Sequence, residues 1–134
     1  MGQKALIADD DPLMRRLCWG ILNLAGCQVI TAANGREAVE LATRELPQLI
    51  VMDVVMSEMN GLEALRELKQ AEATKTIPVI MITGKADRKT RKESAASGAA
   101  AFLAKPFRPA QLLKAVRRLS RLTAASGNSN PDPR

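Results

Sequence analysis

The chain has no histidine and no tyrosine, and its 134 residues include only one tryptophan and two phenylalanines. The absence of histidine excludes acid–base catalysis by imidazole, imidazole metal ligands and a role as a phosphohistidine donor. Because aromatic side chains are so scarce, the core has to be built from Leu, Ile, Val, Met and Ala. Because histidine is absent, any chemistry must use carboxylates, hydroxyls, lysine and the backbone.

Cysteine and long apolar runs are also scarce. Cys18 and Cys27 form neither a CxxC pair nor a metal-ligand spacing, so the sequence predicts two buried, reduced thiols. No N-terminal stretch resembles a signal peptide, and no apolar run is long enough to span a bilayer. These absences favour a soluble, cytoplasmic protein with no membrane partner, and the length fits one domain.

Positive charge is concentrated in one part of the chain. Residues 84–121 carry eleven of the twenty basic residues and only two acidic ones. Four of these basic residues follow helical spacing and form one stripe: Lys114, Arg117, Arg118 and Arg121. The simplest explanation of this stripe is a helix face exposed to solvent. The more specific explanation is an output surface that binds an acidic partner. Direct nucleic-acid binding is not expected, because a recognition motif and stacking aromatics are both missing.

Apolar residues alternate between strand-like and helix-like patterns five times. The predicted strands cover residues 4–8, 28–32, 48–52, 77–82 and 100–104. The predicted helices cover residues 12–25, 36–45, 61–73, 87–97 and 109–122. This alternation indicates a parallel sheet with helices on both faces. The last segment, residues 123–134, is rich in Ser, Asn and Pro and is predicted to be a disordered tail, which leaves a domain at residues 1–122.

Polar side chains follow four of the predicted strands. The first strand ends in three aspartates at residues 9–11, the third in Asp53, the fourth in Thr83 and the fifth in Lys105. The carboxyl ends of parallel strands meet at one edge of a sheet, where ligands bind. Three aspartates would repel a bare phosphate but attract Mg²⁺, which in turn favours a phosphoryl group. The set therefore contains the groups needed to transfer a phosphoryl group to an aspartate.

Four segments carry a family resemblance, IADDDP, IVMDVVMSEMNGLE, VIMITG and AFLAKPF. They resemble the receiver domain of two-component response regulators, the CheY-like family, over about residues 4–122. The resemblance implies a doubly wound α/β fold whose five-stranded parallel sheet has the order 2-1-3-4-5 and is flanked by five helices. It also implies a single-domain response regulator in phosphorelay signal transduction, a phosphoprotein switch rather than an enzyme.

The resemblance also assigns a metal site and an acceptor. It implies that Asp53 accepts the phosphoryl group, and that Asp9, Asp10, Asp53 and the backbone carbonyl of Val55 hold Mg²⁺. The implied donor is a sensor histidine kinase or a histidine phosphotransfer protein. The output protein is not identified by the sequence, although an acidic partner would fit the basic stripe, and the chain is expected to be a monomer or weak dimer.

Further roles follow from the same resemblance. Thr83 and Gly84 would bind phosphoryl oxygens, and Lys105, before a *cis* proline, would pair with the phosphoryl group. Phe102 would be an aromatic switch that follows Thr83 inward on activation. The catalytic set implied by the family is therefore Asp53, Thr83 and Lys105.

Two positions set phosphoryl lifetime in the family, and here they are Val55 and Lys85. Neither offers a carboxylate or an amide to orient an attacking water, so we predict slow self-dephosphorylation. The family usually has proline where this chain has Ser57, which predicts a looser loop after the acceptor. On the first helix and near the last, Trp19, Leu13 and Phe107 are candidates for a patch that docks the phosphodonor.

Two alternatives to a stand-alone switch stay open at this point. A Mg²⁺-dependent phosphatase or phosphotransferase of the haloacid-dehalogenase type also has an aspartate after its first strand, but its DxDx[TV] motif is broken here by Pro12 and Leu13. The second alternative is a receiver that belongs to a larger effector protein. The polar tail favours a complete chain over that alternative.

Overall fold

A computed structural model describes residues 3–127, with side chains from residue 3 to residue 119. Strands and helices alternate along the described chain. The strands are β1 (Lys4–Ala8), β2 (Gln28–Ala32), β3 (Leu49–Asp53), β4 (Val79–Thr83) and β5 (Ala101–Ala104). The helices are α1 (Pro12–Leu24), α2 (Gly35–Glu45), α3 (Gly61–Gln70), α4 (Arg88–Ala96) and α5 (Pro109–Gly127). Among these helices, none is both long and apolar enough to cross a membrane.

The five strands form one parallel sheet in the order β2-β1-β3-β4-β5, which confirms the predicted fold. Asp53 lies beside Ile82 across the β3–β4 pair, and Thr83 lies beside Ala104 across the β4–β5 pair. The last residues of the central strands are therefore level with one another. This register brings the polar residues that follow the strands to a single edge.

Each face of the sheet is covered by its own apolar cluster. Along β1 and β3, alternate residues point to opposite faces, as a strand requires. One cluster joins Leu6, Ile50 and Met52 to α2 and α3, and the other joins Ile7 and Val51 to α1 and α5. A fully buried Leu, Ile or Met contributes roughly 1.5–3 kcal/mol, so the central strands are the most strongly held part of the fold.

Side-chain caps fix where the helices begin. Asp11 accepts a hydrogen bond from the Leu13 amide at the start of α1, where the following proline suits the first helical position. At the start of α3, Asn60 and Glu63 form a reciprocal capping box. These caps also place the loops that precede the helices, and both of those loops lie at the polar edge of the sheet.

Two helix ends differ from the sequence prediction by three residues or more, and the other helix boundaries agree to within one residue. Helix α3 ends at Gln70 instead of residue 73, and the Thr74 hydroxyl then donates to the Leu68 carbonyl. Helix α5 continues to Gly127, past the predicted end at residue 122 and into the segment predicted as a tail. Two alanines at 124 and 125 favour the helix, and Gly127 is its last residue. The remaining residues of that segment, 128–134, lie outside the described residues, and the domain boundary stays a prediction.

Two glycines allow the loop after β3 to press closely on the helices. A Cβ atom on Gly35 would lie 2.0 Å from the Met59 carbonyl oxygen, and one on Gly61 would lie 2.0 Å from the Asp53 carbonyl oxygen. The Gly61 amide donates to the Val54 carbonyl at 2.7 Å. The loop that follows Asp53 is therefore held in place by backbone contacts that only glycine permits.

Candidate functional site

The polar edge of the sheet is centred on two buried carboxylates joined by one lysine. Asp9 follows β1, Asp53 ends β3, and both are buried. The Lys105 Nζ atom lies 2.9 Å from Oδ2 of Asp9 and 2.9 Å from Oδ2 of Asp53. Residues far apart in sequence thus meet as predicted, and the lysine supplies the positive charge that two neighbouring carboxylates require.

Asp9 is held by hydrogen bonds at its backbone amide, its backbone carbonyl and its carboxylate. Its amide donates to the Ala32 carbonyl at 3.1 Å, and its carbonyl accepts from Arg15 Nη1 at 2.7 Å. Its Oδ1 atom accepts the Asp11 amide at 2.9 Å. Burial raises the pKa of the Asp9 carboxyl and the negative charge of Asp53 adds to this, which together outweigh the hydrogen bonds from Asp11 and Lys105 that lower it.

Lys105 keeps its charge in this partly buried place. Burial by itself would lower the pKa of Lys105, but the hydrogen bonds and negative charges of Asp53 and Asp9 outweigh it, so the pKa is raised. The bond between Lys105 and Pro106 is *cis*, as the sequence resemblance implied. The ammonium group is therefore a permanent cation between the two carboxylates at neutral pH.

The carboxylates fit a divalent cation. Asp9, Asp10 and Asp53 each offer an oxygen that lies within 4.8 Å of the others, and Asp10 is the exposed member. Carboxylate oxygens are the ligands that Mg²⁺ takes in proteins, usually together with waters and substrate oxygens. Val55 is also at this edge, where its amide donates to Asp53 Oδ1 at 3.3 Å. The donor set therefore suits a hard cation, and the ligand role of the Val55 carbonyl stays a prediction.

Thr83 and Gly84 follow β4 at the same edge. Thr83 is buried, and its Oγ1 atom accepts the Lys85 amide at 3.0 Å, which leaves the hydroxyl hydrogen free to be donated. Its carbonyl accepts the Lys105 amide at 2.9 Å, which ties the ends of β4 and β5 together. Gly84 is exposed, and a Cβ atom there would meet nothing within 4 Å. Both residues thus lie at the same edge of the sheet as the carboxylates, Thr83 buried and Gly84 exposed.

Phe102 lies away from this cluster. It is partly buried on β5 beside Met81, two residues before the end of the strand. The Arg91 guanidinium carbon lies 4.7 Å from the centroid of its ring, within the range of a cation–π interaction. The structure therefore shows Phe102 covered by a residue of α4, and its role as a switch stays a prediction.

Comparison with known proteins decides the family. Residues 5–117 match the response regulator receiver domain family. The chain is also 35% identical to the chemotaxis protein CheY of *Thermotoga maritima* over 122 residues, which cover 90% of this chain and 100% of CheY. This chain belongs to the response regulator receiver family. Receiver domains of this family are parts of two-component systems, as the sequence motifs indicated.

A solved relative of this receiver domain is informative for the metal. The receiver domain of the sensor histidine kinase PA1611 from *Pseudomonas aeruginosa*, described with a magnesium ion in its active-site cleft, superposes with a TM-score of 0.81 at 31% identity. The superposition covers 92% of this chain and 99% of the other. A magnesium ion is thus found in the corresponding cleft of a related receiver.

Other relatives are longer than this receiver domain. The probable transcriptional regulator ycf27 of *Porphyridium aerugineum* is 35% identical over 96% of this chain, which spans only 52% of the length of ycf27. The matched region therefore covers all of the CheY protein and about half of the ycf27 protein.

Both cysteines of the receiver domain are buried and free, as predicted. Burial raises the pKa of the Cys18 thiol to about 12, and the nearby charge of Asp9 adds to this increase. Burial also raises the pKa of the Cys27 thiol. The two thiols are therefore protonated core residues and take no part in the site.

Sequence reasoning missed two residues, Arg15 beside the site and Arg91 beside Phe102. Arg15 binds the carbonyl of Asp9, and Arg91 covers Phe102. The only sequence signal for Arg15 is a positive charge one helical turn after the aspartates at residues 9–11. Arg91 has no signal of its own, because it is one of several basic residues on a polar helix.

Proposed function

We propose that Asp53 accepts a phosphoryl group from a phosphohistidine partner, and that this modification changes a protein-interaction face. The observation that carries the proposal is the position of the Lys105 Nζ atom, which lies 2.9 Å from a carboxylate oxygen of Asp9 and 2.9 Å from one of Asp53 at the carboxyl edge of the sheet. The magnesium described in the PA1611 receiver supports the same reading of the cleft.

The proposed step is an in-line displacement at phosphorus. A carboxylate oxygen of Asp53 forms a new bond to phosphorus, the bond from phosphorus to the donor's imidazole nitrogen breaks, and the electron pair of that bond returns to the imidazole. No proton has to be removed from the nucleophile, because a carboxylate attacks directly. This agrees with a site that contains no histidine.

The surrounding side chains would stabilise the charge of the transferred group. Lys105 already contacts the oxygen of Asp53 and can pair with a phosphoryl oxygen without leaving its place. The Thr83 hydroxyl has a hydrogen to donate, and the exposed residue Gly84 follows it in the chain with its own amide. These three donors would meet the phosphoryl oxygens as they leave the donor.

Asp9, Asp10, Asp53 and the carbonyl of Val55 are the groups that would hold Mg²⁺. When bound, Mg²⁺ supplies positive charge that offsets both the carboxylates and the incoming phosphoryl oxygens. The carboxylate spacing within 4.8 Å suits this task.

A phosphatase or phosphotransferase of the haloacid-dehalogenase type is disfavoured. The chain matches the receiver family over residues 5–117, and its first-strand motif departs from the one that class requires. We therefore propose a switch that catalyses only its own phosphorylation and dephosphorylation. The matched length fits both a stand-alone receiver and a receiver that belongs to a longer effector.

The phosphorylated form is proposed to be long-lived. Val55 is exposed at the site and apolar, and Lys85 lines a cavity of about 450 Å³ next to it. Neither side chain can accept a proton from a water aimed at phosphorus. We expect decay of phospho-Asp53 over minutes or longer in the presence of Mg²⁺, and decay within seconds would contradict this.

The first helix offers a surface for the phosphodonor, although it differs from the predicted patch. Three leucines of α1 share one face and are exposed, Leu13 by 76%, Leu17 by 43% and Leu24 by 79%. Trp19 is six residues from Leu13 and therefore faces about 120° away around the helix. Phe107 is partly buried against the core. We propose that the leucine face, rather than Trp19, receives a helix of the donor.

The output face is proposed to lie on α4, β5 and α5. Basic residues dominate it: Arg88, Lys89, Arg91 and Lys92 on α4, and Lys114, Arg117 and Arg118 on α5. An acidic partner would be attracted to such a surface. The side chain of Arg121, which the sequence placed on the same stripe, lies outside the described residues.

Intact-mass analysis after incubation with acetyl phosphate and Mg²⁺ tests the proposal. We expect one added phosphoryl group on the wild-type protein, and none on Asp53→Asn or when EDTA replaces Mg²⁺. Asp87→Asn is a matched control, because Asp87 is a capping aspartate at the start of α4, and it should be modified like wild type. A wild-type protein that stays unmodified, or an Asp53→Asn protein that is modified equally, would overturn the proposal.

A further inference from the structure

Arg15 contacts the acidic loop, defined here as residues 9–11, from the first turn of α1. Its Nη1 atom donates to the Asp9 carbonyl at 2.7 Å, which is short for a bond from a charged donor. Its backbone amide donates to the Asp11 carbonyl at 3.0 Å. The second bond is the ordinary backbone bond of the helix, so the side chain of Arg15 adds one contact, to the first residue of the acidic loop.

The contact to Asp9 controls the direction of Asp10. The carbonyl of Asp9 and the amide of Asp10 belong to one planar peptide unit, so fixing the carbonyl fixes the plane from which Asp10 starts. Asp9 is held on its other side by the bond from its amide to Ala32. Asp10 itself is exposed. Its aim toward the other carboxylates thus depends on the peptide plane that Arg15 holds.

We propose that Arg15 is a positioning residue, which holds the acidic loop in the arrangement that binds a divalent cation. The inference rests on the proposed function, because it gives the loop a metal to bind. Groups that orient metal ligands from behind commonly change metal affinity by 10- to 100-fold when they are removed. The guanidinium does not touch the cation, and its effect is exerted through the loop.

A neighbouring arginine provides a matched control. Arg15 and Arg16 line the same groove of about 620 Å³ with Trp19, and Arg16 is the more exposed of the two. Both substitutions Arg15→Gln and Arg16→Gln remove one positive charge near the acidic loop. Only Arg15→Gln removes the bond to the Asp9 carbonyl, so a difference between the two variants measures that bond and not the charge.

The experiment is calorimetric titration of each protein with MgCl₂, followed by phosphorylation at several Mg²⁺ concentrations. We expect the Mg²⁺ Kd of Arg15→Gln to rise about tenfold and that of Arg16→Gln to stay within about twofold of wild type. The Mg²⁺ concentration for half-maximal phosphorylation should rise equally, while the rate at saturating Mg²⁺ should change little. Equal Mg²⁺ affinities for the two variants would overturn the inference.

A second measurement keeps the inference testable if the proposed function fails. Failure of that function would appear as wild-type protein that binds Mg²⁺ but takes no phosphoryl group. Hydrogen exchange of the Asp10 and Asp11 amides in metal-free protein then decides, because it reports the order of the loop directly. Faster exchange in Arg15→Gln than in Arg16→Gln supports the positioning role, and equal exchange overturns it.

Discussion

Strands β3 and β5 end at the same edge of the sheet, but they are packed very differently. All five residues of Leu49–Asp53 are buried, whereas all four residues of Ala101–Ala104 are partly exposed. The helices that flank them repeat the contrast. Helix α3 buries two leucines and an alanine beyond its first turn, while the buried side chains of α4 are the hydroxyls of Thr90 and Ser94.

This difference separates two tasks. The proposed acceptor Asp53 is on the strongly packed strand β3, which keeps it in place against Asp9 and Lys105. The proposed switch residue Phe102 and its cover Arg91 are on the weakly packed side. Elements with few buried apolar contacts open and move at a lower free-energy cost than core elements. We therefore propose that the chemistry at Asp53 takes place on a rigid side, formed by β3 and α3, and that the switch uses the weakly packed side, formed by β5 and α4.

The largest expected effect breaks the rigid side. In Gly61→Ala, the new Cβ would lie 2.0 Å from the Asp53 carbonyl oxygen, so the backbone of Asp53 has to move. We expect the free energy of unfolding to fall by roughly 3–4 kcal/mol and phosphorylation to be lost. Urea denaturation and mass analysis measure the two effects.

Gly20→Ala is the matched control for that substitution. Gly20 lies within α1, and a Cβ atom there meets nothing within 4 Å. Alanine should stabilise the helix by about 0.5–1 kcal/mol. If both glycine variants lose stability to the same degree, the backbone contact at Asp53 is not what requires glycine at position 61.

The next effect concerns the charge balance at the edge of the rigid strands. Lys105→Gln leaves the carboxylates of Asp9 and Asp53 without their shared cation. We expect a loss of roughly 2–3 kcal/mol in EDTA, a value reduced from that of a fully buried pair because Lys105 retains some exposure.

Mg²⁺ should restore more stability to this variant than to wild type, because the metal binds only the folded carboxylates and no longer meets the positive charge of Lys105 beside them. Thermal unfolding with and without MgCl₂ measures this difference. An equal Mg²⁺-induced shift in the Tm of both proteins would show that the lysine and the metal do not compensate the same charges.

Much of the rigid side was predictable from sequence, and little of the weakly packed side was. Buried strands read as continuous apolar runs, so the runs before Asp53 and Thr83 predicted β3 and β4, and the residues after them predicted the polar edge. The strand order came from the family resemblance and not from periodicity. Helix α4 is almost entirely polar, and its contact between Arg91 and Phe102 depends on tertiary packing that no pattern encodes.

Helix ends and the leucine face show the same limit. The extension of α5 to Gly127 depends on the intrinsic preference of two alanines, which a reading based on Ser, Asn and Pro content overlooks. Trp19 drew attention as a rare residue, yet Leu17 and Leu24 complete the exposed face with Leu13. Only the packing of α1 shows which of its apolar side chains face solvent.

A smaller effect tests how weakly α4 is held. The Ser94 hydroxyl is buried, and among the buried side-chain nitrogen and oxygen atoms of the described residues it is the one without a hydrogen-bond partner. Ser94→Ala should therefore raise the free energy of unfolding by about 1 kcal/mol, because it removes a desolvated polar group. Denaturant unfolding measures the change.

The control for Ser94 is a buried hydroxyl that is satisfied. The Thr74 hydroxyl donates to the Leu68 carbonyl at 2.7 Å. Thr74→Val should lower stability by about 1 kcal/mol, the opposite sign. If Ser94→Ala lowers stability as Thr74→Val does, the Ser94 hydroxyl has a hydrogen-bond partner. Helix α4 is then better packed than its lack of buried apolar side chains suggests.

The smallest expected effect sharpens the comparison at the switch itself. Arg91→Gln removes the charge that lies 4.7 Å from the Phe102 ring, so we expect stability to fall by only about 0.5–1 kcal/mol. The larger consequence should be conformational, because an uncovered ring is freer to leave its place on β5. NMR spectra of the Phe102 ring should show increased motion before phosphorylation, and the difference between the unmodified and phosphorylated states at β5 should shrink.

Lys92→Gln, an equal change of charge on the next exposed residue of α4, should leave the ring unaffected. Identical ring spectra in all three proteins would mean that Arg91 covers Phe102 without restraining it, and the mobility of the weakly packed side would then have to come from α4 as a whole.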